Sequence, residues 1–539
     1  MRIYGKIVDI FKEEIFKGYI DVEGDIIKQT GREESVEERY ILPGLIDSHI
    51  HIESSVLVPS RFAETAVQHG TVAVVSDPHE IANVLGREGV EYMIDNAAEV
   101  PLKFYFGAPS CVPATGFETA GGTLDEADIK DLLGRDKIKY LAEMMNFPGV
   151  INNDEKVKGK IAIARKYGKP VDGHAPGLRG KDLDKYIGAG ISTDHESISL
   201  EEAREKLEKG MKVQIREGSA ARSLDRFHYL IAEKPSGLML CSDDLHPEML
   251  ADGHINLLVK RLLGYGYDLF DILKIVVLNP VQHYDLDVGM LRRGDKADFI
   301  IIDNPEEFNI NETWINGRKV FDGNGIGFKS PPAKVVNKFN SSYINAGDIA
   351  VSRKEGKIRV INISEGDLVT GVYWWKPGSR GVFVEADTGE DIHKIIVKDR
   401  YKDSTPAVAF IKGFGIRRGA FASSVAHDSH NIIAAGCDDE SITRVVNMLV
   451  EMKGGLALTD GQSSMSLPLE VAGLMTDVPC GTVAEKYEKM SERLKDMGCK
   501  LKSPFMTLSF MALPVIPELK ITDRGLFDVG SFDFVDLFM

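Results

Sequence analysis

Over the first 40 positions, apolar residues recur in short alternating runs, "RIYGKIVDI" and then "EIFKGYIDVEGDIIKQTG", broken by glycine-containing turns. Alternation with period two marks half-buried strands, and such turns link them into a small sheet. The same texture returns in "GMLRRGDKADFIIID" and "ETWINGRKVFDG". Two β-rich pieces flanking a long middle predict one composite β-sandwich domain, residues 1–42 with 287–332.

The middle, 43–286, has a different rhythm. Short continuous apolar runs alternate with amphipathic helical stretches: "TVAVVSDPHE" before "IANVLGREGVEYMIDNAAEV", "KIKYLAEMMN" before "NDEKVKGKIAIARKYG". Then come "PVDGHAPG", "ISTDHES", "LEEAREKLEKG", "KVQIREGSAA" and "LMLCSDDLHPE". Strand–helix alternation of this length suits a closed parallel (β/α)8 barrel of TIM type, typically about 250 residues. A doubly wound open sheet is the rival, but no GxGxxG follows the first strand. Residues 333–539 read as a separate α+β domain. There "KVVNKFNSSYINAGDIAV" and "KIRVINISEGDLVTGVYWW" look strand-rich, whereas "DDESITRVVNMLVEMKGG" and "PCGTVAEKYEKMSERLKDMG" have helical periodicity.

Composition narrows the partners. A length of 539 residues allows two or three domains, and 43% hydrophobic with 27% charged residues is a globular balance. The formal net charge of −17 disfavours nucleic acid and anionic membrane, which leaves a small-molecule substrate. Five scattered cysteines without a CxxC pair fit a reducing compartment, and no signal-peptide or membrane-length apolar run is seen. The expected address is the cytoplasm, and the expected assembly a homodimer.

Polar residues cluster where barrel strands should end. In "LPGLIDSHIHIESS", His49 and His51 are two apart, so in a strand both project to one face. Later strand ends carry Asp77-Pro78-His79-Glu80, Glu143, His174, His195 and Asp243. One buried histidine or aspartate is more often a satisfied structural residue, and Asp77 to Glu80 reads equally well as a helix N-cap. Recurrence once per strand–helix unit favours metal ligation, since barrel chemistry sits at these ends. The set is too large for one tetrahedral ion but suffices for two divalent ions sharing a carboxylate and a hydroxide. The expected assignment places His49, His51 and Asp243 on one ion, His174 and His195 on the other, and Glu143 between them. Asp244 should face away if the strand is still extended there, and a carbamylated Lys139 is a rival bridge. The segment "SSVAHDSHN" is either a solvated turn or a loop over the barrel mouth, with His427, Asp428 and His430 touching substrate or an auxiliary metal.

Taken together, "PGLIDSHIHIESS", "VVSDPHEIANVLG", "LAEMMNFPGV", "VDGHAPGL", "STDHES" and "CSDDLHP" resemble the adenine deaminase family of the amidohydrolase superfamily of metallo-dependent hydrolases. "AFASSVAHDSHNIIAAGCDD", "GGLALTDG", "LPLEVAGLMT" and "LSFMALPVIPELKITDRGL" extend the resemblance through the C-terminal region. It implies hydrolysis of adenine to hypoxanthine and ammonia with two divalent ions, Mn²⁺ or Fe²⁺ with Zn²⁺ as a further option. It also favours Glu143 over Lys139 as the bridge. In that chemistry Asp243 relays the proton of the nucleophile to the departing amine, and Glu80 or His79 protonates ring nitrogen N1. Arg61, Asn146 and Ser54 are unranked readers of the ring edge. A cytidine-deaminase site is excluded, because Pro479-Cys480 continues "GTV" rather than completing PCxxC. The alternatives are a dihydroorotase or hydantoinase type of hydrolase on the same barrel, or a non-catalytic scaffold.

Overall fold

The computed structural model describes residues 1–219, 221–364, 368–378 and 381–539. Parallel strands β1 (Leu45–Ile50), β2 (Thr71–Ser76), β3 (Lys103–Ala108), β4 (Ile138–Met144) and β5 (Val171–Gly173) pair in chain order. So do β6 (Thr193–Asp194), β7 (Lys212–Arg216) and β8 (Leu238–Cys241). Parallel bridges between Val171 and Ile191, and between Ile50 and Asp243, join the two groups at both seams and close the barrel. β1, β2 and β8 are buried along their whole length. That is why β2 and β8 read as nearly continuous apolar runs, helices covering one face and the barrel interior the other, whereas β1 is equally buried although it carries Asp47, Ser48 and His49.

Local chemistry sets the helix boundaries. Asp125, Asp154 and Ser199 accept backbone N–H bonds at the starts of Glu126–Leu133, Glu155–Lys166 and Leu200–Glu208. The helical stretch after β2 is split into His79–Leu85 and Arg87–Ala97 at Gly86, whose φ of +63° suits glycine.

The two flanks meet as expected. Tyr40–Pro43 pairs antiparallel with Phe299–Ile302 at the centre of one seven-stranded sheet, the N-terminal strands on one side and those of 310–321 on the other. Beyond the barrel lies an eight-stranded, mostly antiparallel sheet. Its strand Ile392–Lys398 turns Ile396 toward the helix Asp439–Met452, while Ile395 and Val397 join the core shared with the barrel. Both faces are therefore covered. The second expected helix runs Cys480–Asp496.

One expectation fails here. The stretch 334–351, read as strand-rich, has no strand before Val351–Ser352. It is an extended strap held through Asn337 Nδ2 to the Lys453 carbonyl (2.7 Å) and Asn340 N to the Arg400 carbonyl (2.8 Å). Its asparagines spend their polar groups on neighbouring loops instead of a sheet ladder.

Behind β5 and β6 a buried ammonium anchors the barrel wall. Lys206 Nζ donates to Asp194 Oδ2 (2.8 Å), Glu202 Oε1 (2.6 Å) and the Ala175 carbonyl (2.9 Å), and Asp194 Oδ1 accepts from Ala175 N (2.9 Å). Ala175 follows His174 and Asp194 precedes His195, so this network fixes the backbone of both histidines. Lys206→Met leaves two buried carboxylates without their cation and should cost about 3–5 kcal/mol in chemical denaturation.

Candidate metal centre

The carboxyl ends of the barrel strands converge on one buried cluster. His49 and His51, on and just after β1, place their Nε2 atoms 3.2 Å apart. The His51 Nδ1 lies 3.1 Å from the Asp77 carbonyl oxygen, to which it donates, so Nε2 is left to act as a ligand atom. Asp243 Oδ1 lies 3.6 Å from the His49 Nε2 and 3.3 Å from the His51 Nε2.

Glu143, at the end of β4, stands between this group and the next. Its Oε2 is 2.7 Å from the His174 Nδ1 and 3.1 Å from the His195 Nε2, while Oε1 is 3.5 Å from the His51 Nε2. One carboxylate thus reaches His174 and His195 with one oxygen and His51 with the other. All six residues are at most 8% exposed. Against burial, the His174 and His195 imidazoles hold Glu143 well below the usual carboxylate range. Likewise Arg216, then His49 and His51, outweigh burial and hold Asp243 far down. Among the described residues, His49, His195 and Asp243 form one compact donor group, and Glu143, His174 and His195 another. Imidazole nitrogens and carboxylate oxygens buried and aimed at shared points fit divalent cations.

Several expectations need correction. Asp244 does not face away: β8 ends at Cys241 and Asp243 has φ +58°, which breaks the alternation. Asp244 therefore lines the same cavity and accepts a 2.5 Å bond from Ser54 Oγ. Lys139 sits at the opposite end of β4, with its ammonium over the Tyr105 ring, so it cannot bridge anything at the mouth. Arg61 is bound to the Asp477 carbonyl oxygen (2.8 Å) and to Glu64, and Asn146 caps Phe147–Ile151 through Gly149 N (2.9 Å). Asp77 makes no side-chain cap to the helix His79–Leu85.

The HDSHN segment is no solvated turn. His427 Nδ1 and His430 Nε2 each lie 2.5 Å from an oxygen of Glu80, which follows β2. Against burial, the imidazoles of His427, His79 and His430 hold Glu80 well below its ordinary range. His79 lies 3.4 Å from Glu143 Oε1 and 3.2 Å from Asp77 Oδ2, facing the cluster, and Asp428 lies 4.0 Å from the His79 Nε2.

Glu196 and Arg216 were missed. Arg216 ends β7 and binds both oxygens of Glu196, and its Nη1 reaches Asp243 Oδ2 at 2.6 Å. The sequence carries the signal, since "KVQIR" ends a strand run on a polar residue just as the ligand-bearing runs do. Arg216→Met removes the partner of Asp243 and should weaken Mn²⁺ binding about 10–100-fold in calorimetric titration, with the fold retained.

The Amidohydrolase family model matches residues 40–320, and the Adenine deaminase C-terminal domain model matches 368–533. The adenine deaminase of Methanosarcina mazei is 50% identical over 550 residues, covering 100% of this chain and 99% of its own. That of Salinibacter ruber is 48% identical over 539 residues, with coverage of 100% and 99%. With relatives this similar along the whole length, and donors gathered at the barrel mouth, the chain belongs to the adenine deaminase family of the amidohydrolase superfamily.

Proposed function

We propose that this chain hydrolyses adenine to hypoxanthine and ammonia. The observation that carries the reading is Glu143, whose Oε2 faces His174 and His195 while its Oε1 faces His51 at the strand ends. His49, His51 and Asp243 would hold one divalent ion, His174 and His195 the other, and Glu143 both. The donor set suits Mn²⁺, with Fe²⁺ or Zn²⁺ as alternatives. When bound, such a pair supplies the Lewis acidity that makes water a nucleophile near neutral pH.

The chain's own groups handle the protons. The reaction forms a C–O bond at C6, breaks the bond to the exocyclic nitrogen and releases ammonia. Asp243, held ionised by Arg216, is placed to take a proton from the attacking water and return it to the leaving amine. Ring nitrogen N1 needs a proton as C6 becomes tetrahedral. Both Glu80 oxygens are engaged by imidazoles, so of the two candidates His79 is the donor and Glu80 its anchor.

The setting belongs to the same proposal. All five cysteines are free, which suits the cytoplasm, and no described helix is long and apolar enough to cross a membrane. A homodimer is the proposed assembly, to be read by sedimentation.

His49→Ala and Glu143→Ala should each lower adenine turnover by more than about 100-fold, since losing even an outer partner of a metal ligand costs about 10–100-fold. Retained turnover in either variant refutes the assignment. Chelation should abolish ammonia release and Mn²⁺ or Fe²⁺ should restore it, with two equivalents per chain by elemental analysis. Ring opening of a hydantoin to its N-carbamoyl amino acid, with no ammonia released from adenine, would favour the other hydrolase reading.

A further inference from the structure

The cavity at the cluster is about 30 Å³, room for a water molecule or two. Most of its wall is barrel: His51, His79, Glu143, His195, Arg216 and Asp243 among others. The rest is His427, Phe510 and Ile516, all from the C-terminal region. The rings of Phe510 and His427 are stacked, with centroids 4.4 Å apart and planes 19° apart. Phe510 and Ile516 are each 6% exposed, and His427 is 2% exposed. Phe510 lies in a short 3-10 turn, Phe510–Ala512, and Ile516 follows in an irregular stretch rather than on a strand or long helix.

His427 is set by its neighbours. Its Nδ1 is committed to Glu80 Oε1 at 2.5 Å, and its Nε2 is buried without a hydrogen-bond partner. A buried polar atom left unpaired is costly, so its retention beside a ligand cavity needs a reason. A polar atom on the substrate supplies one.

We propose that His427, Phe510 and Ile516 form the substrate-selecting cover of this site, gripping the purine edge opposite C6 and rejecting purines substituted at N9. The proposal rests on adenine being the substrate. C6 must lie against Glu143 and Asp243 for hydrolysis, and N9 is on the far edge of the bicycle. That edge then meets the cover. An unsubstituted base needs only a shift of the cover to enter, after which His427 Nε2 meets a ring nitrogen and Phe510 and Ile516 close over the apolar rim. A sugar or alkyl group on N9 would hold the cover open.

The test compares wild type, Phe510→Ala, Ile516→Ala and His427→Asn, each reconstituted with Mn²⁺ and matched for metal content and circular dichroism. Ammonia release is measured with adenine and with 9-methyladenine. Trimming the cover should shift the ratio of kcat/KM for 9-methyladenine over adenine upward by about 10-fold or more, the discrimination carried by a small apolar contact. His427→Asn should raise KM for adenine by about 10-fold with a smaller change in kcat, as expected when a ground-state contact is lost. An unchanged ratio in both alanine variants, with adenine turnover intact in wild type, overturns the cover but leaves the deaminase reading standing. Wild type idle on adenine overturns both. If the alanine variants misfold, Phe510→Leu and Ile516→Val carry the same comparison, with the same ratio deciding.

Discussion

Burying imidazoles and carboxylates at one point is the constraint on which the rest of this structure depends. A carboxylate taken out of water costs several kcal/mol unless a cation or donor meets it. Glu143, Asp243 and Glu80 are each at most 3% exposed, and each is met: Glu143 by His174 and His195, Asp243 by Arg216 and the β1 histidines, Glu80 by His427 and His430. Every strand must therefore end at the right height. Closure of the barrel between β8 and β1 does this for the first pair, because Asp243 N donates to the His49 carbonyl (3.0 Å) and His51 N to the Asp243 carbonyl (3.2 Å). The backbone bonds that complete the cylinder are the same ones that set His49, His51 and Asp243 against each other.

Compensation continues outward through less conspicuous groups. Lys206 neutralises Asp194 and Glu202 behind the second histidine pair, and Asp47 accepts from Ser242 N and from the His254 ring below the first. These residues touch nothing in the cavity. Their role is to let strands with charged side chains pack inside an apolar wall without stranding a charge.

Much of this was legible in the sequence because it is local. Strand runs, helix caps and a polar residue at each strand end all lie within a few positions of one another, and barrel topology brings those ends together once the order is known. What was misread depended on non-local partners or on a break in regular geometry. The alternation rule sent Asp244 outward because the left-handed turn at Asp243 has no marker in "CSDDLHP". Arg61 looked available, but its partner Asp477 lies in another part of the chain. The strap at 334–350 has strand-like composition, yet the first described strand after Arg318–Phe321 begins only at Val351. Arg216 was visible, and its importance follows only from seeing Glu196 and Asp243 on either side of it.

The pairing of Glu80 with His427 and His430 also bears on when the protein becomes competent during its own synthesis. Residues through β8 leave the ribosome before the His427–His430 segment that holds Glu80, and domains tend to fold in the order they emerge. At that stage Glu80 has no C-terminal imidazoles, and the mouth of the nascent barrel is open to water. Only when the later strand Ala420–Ser423 joins its sheet is the segment after it delivered to the mouth. An acid made early thus waits for bases made late, and the order of translation keeps an unfinished chain from holding a sealed site.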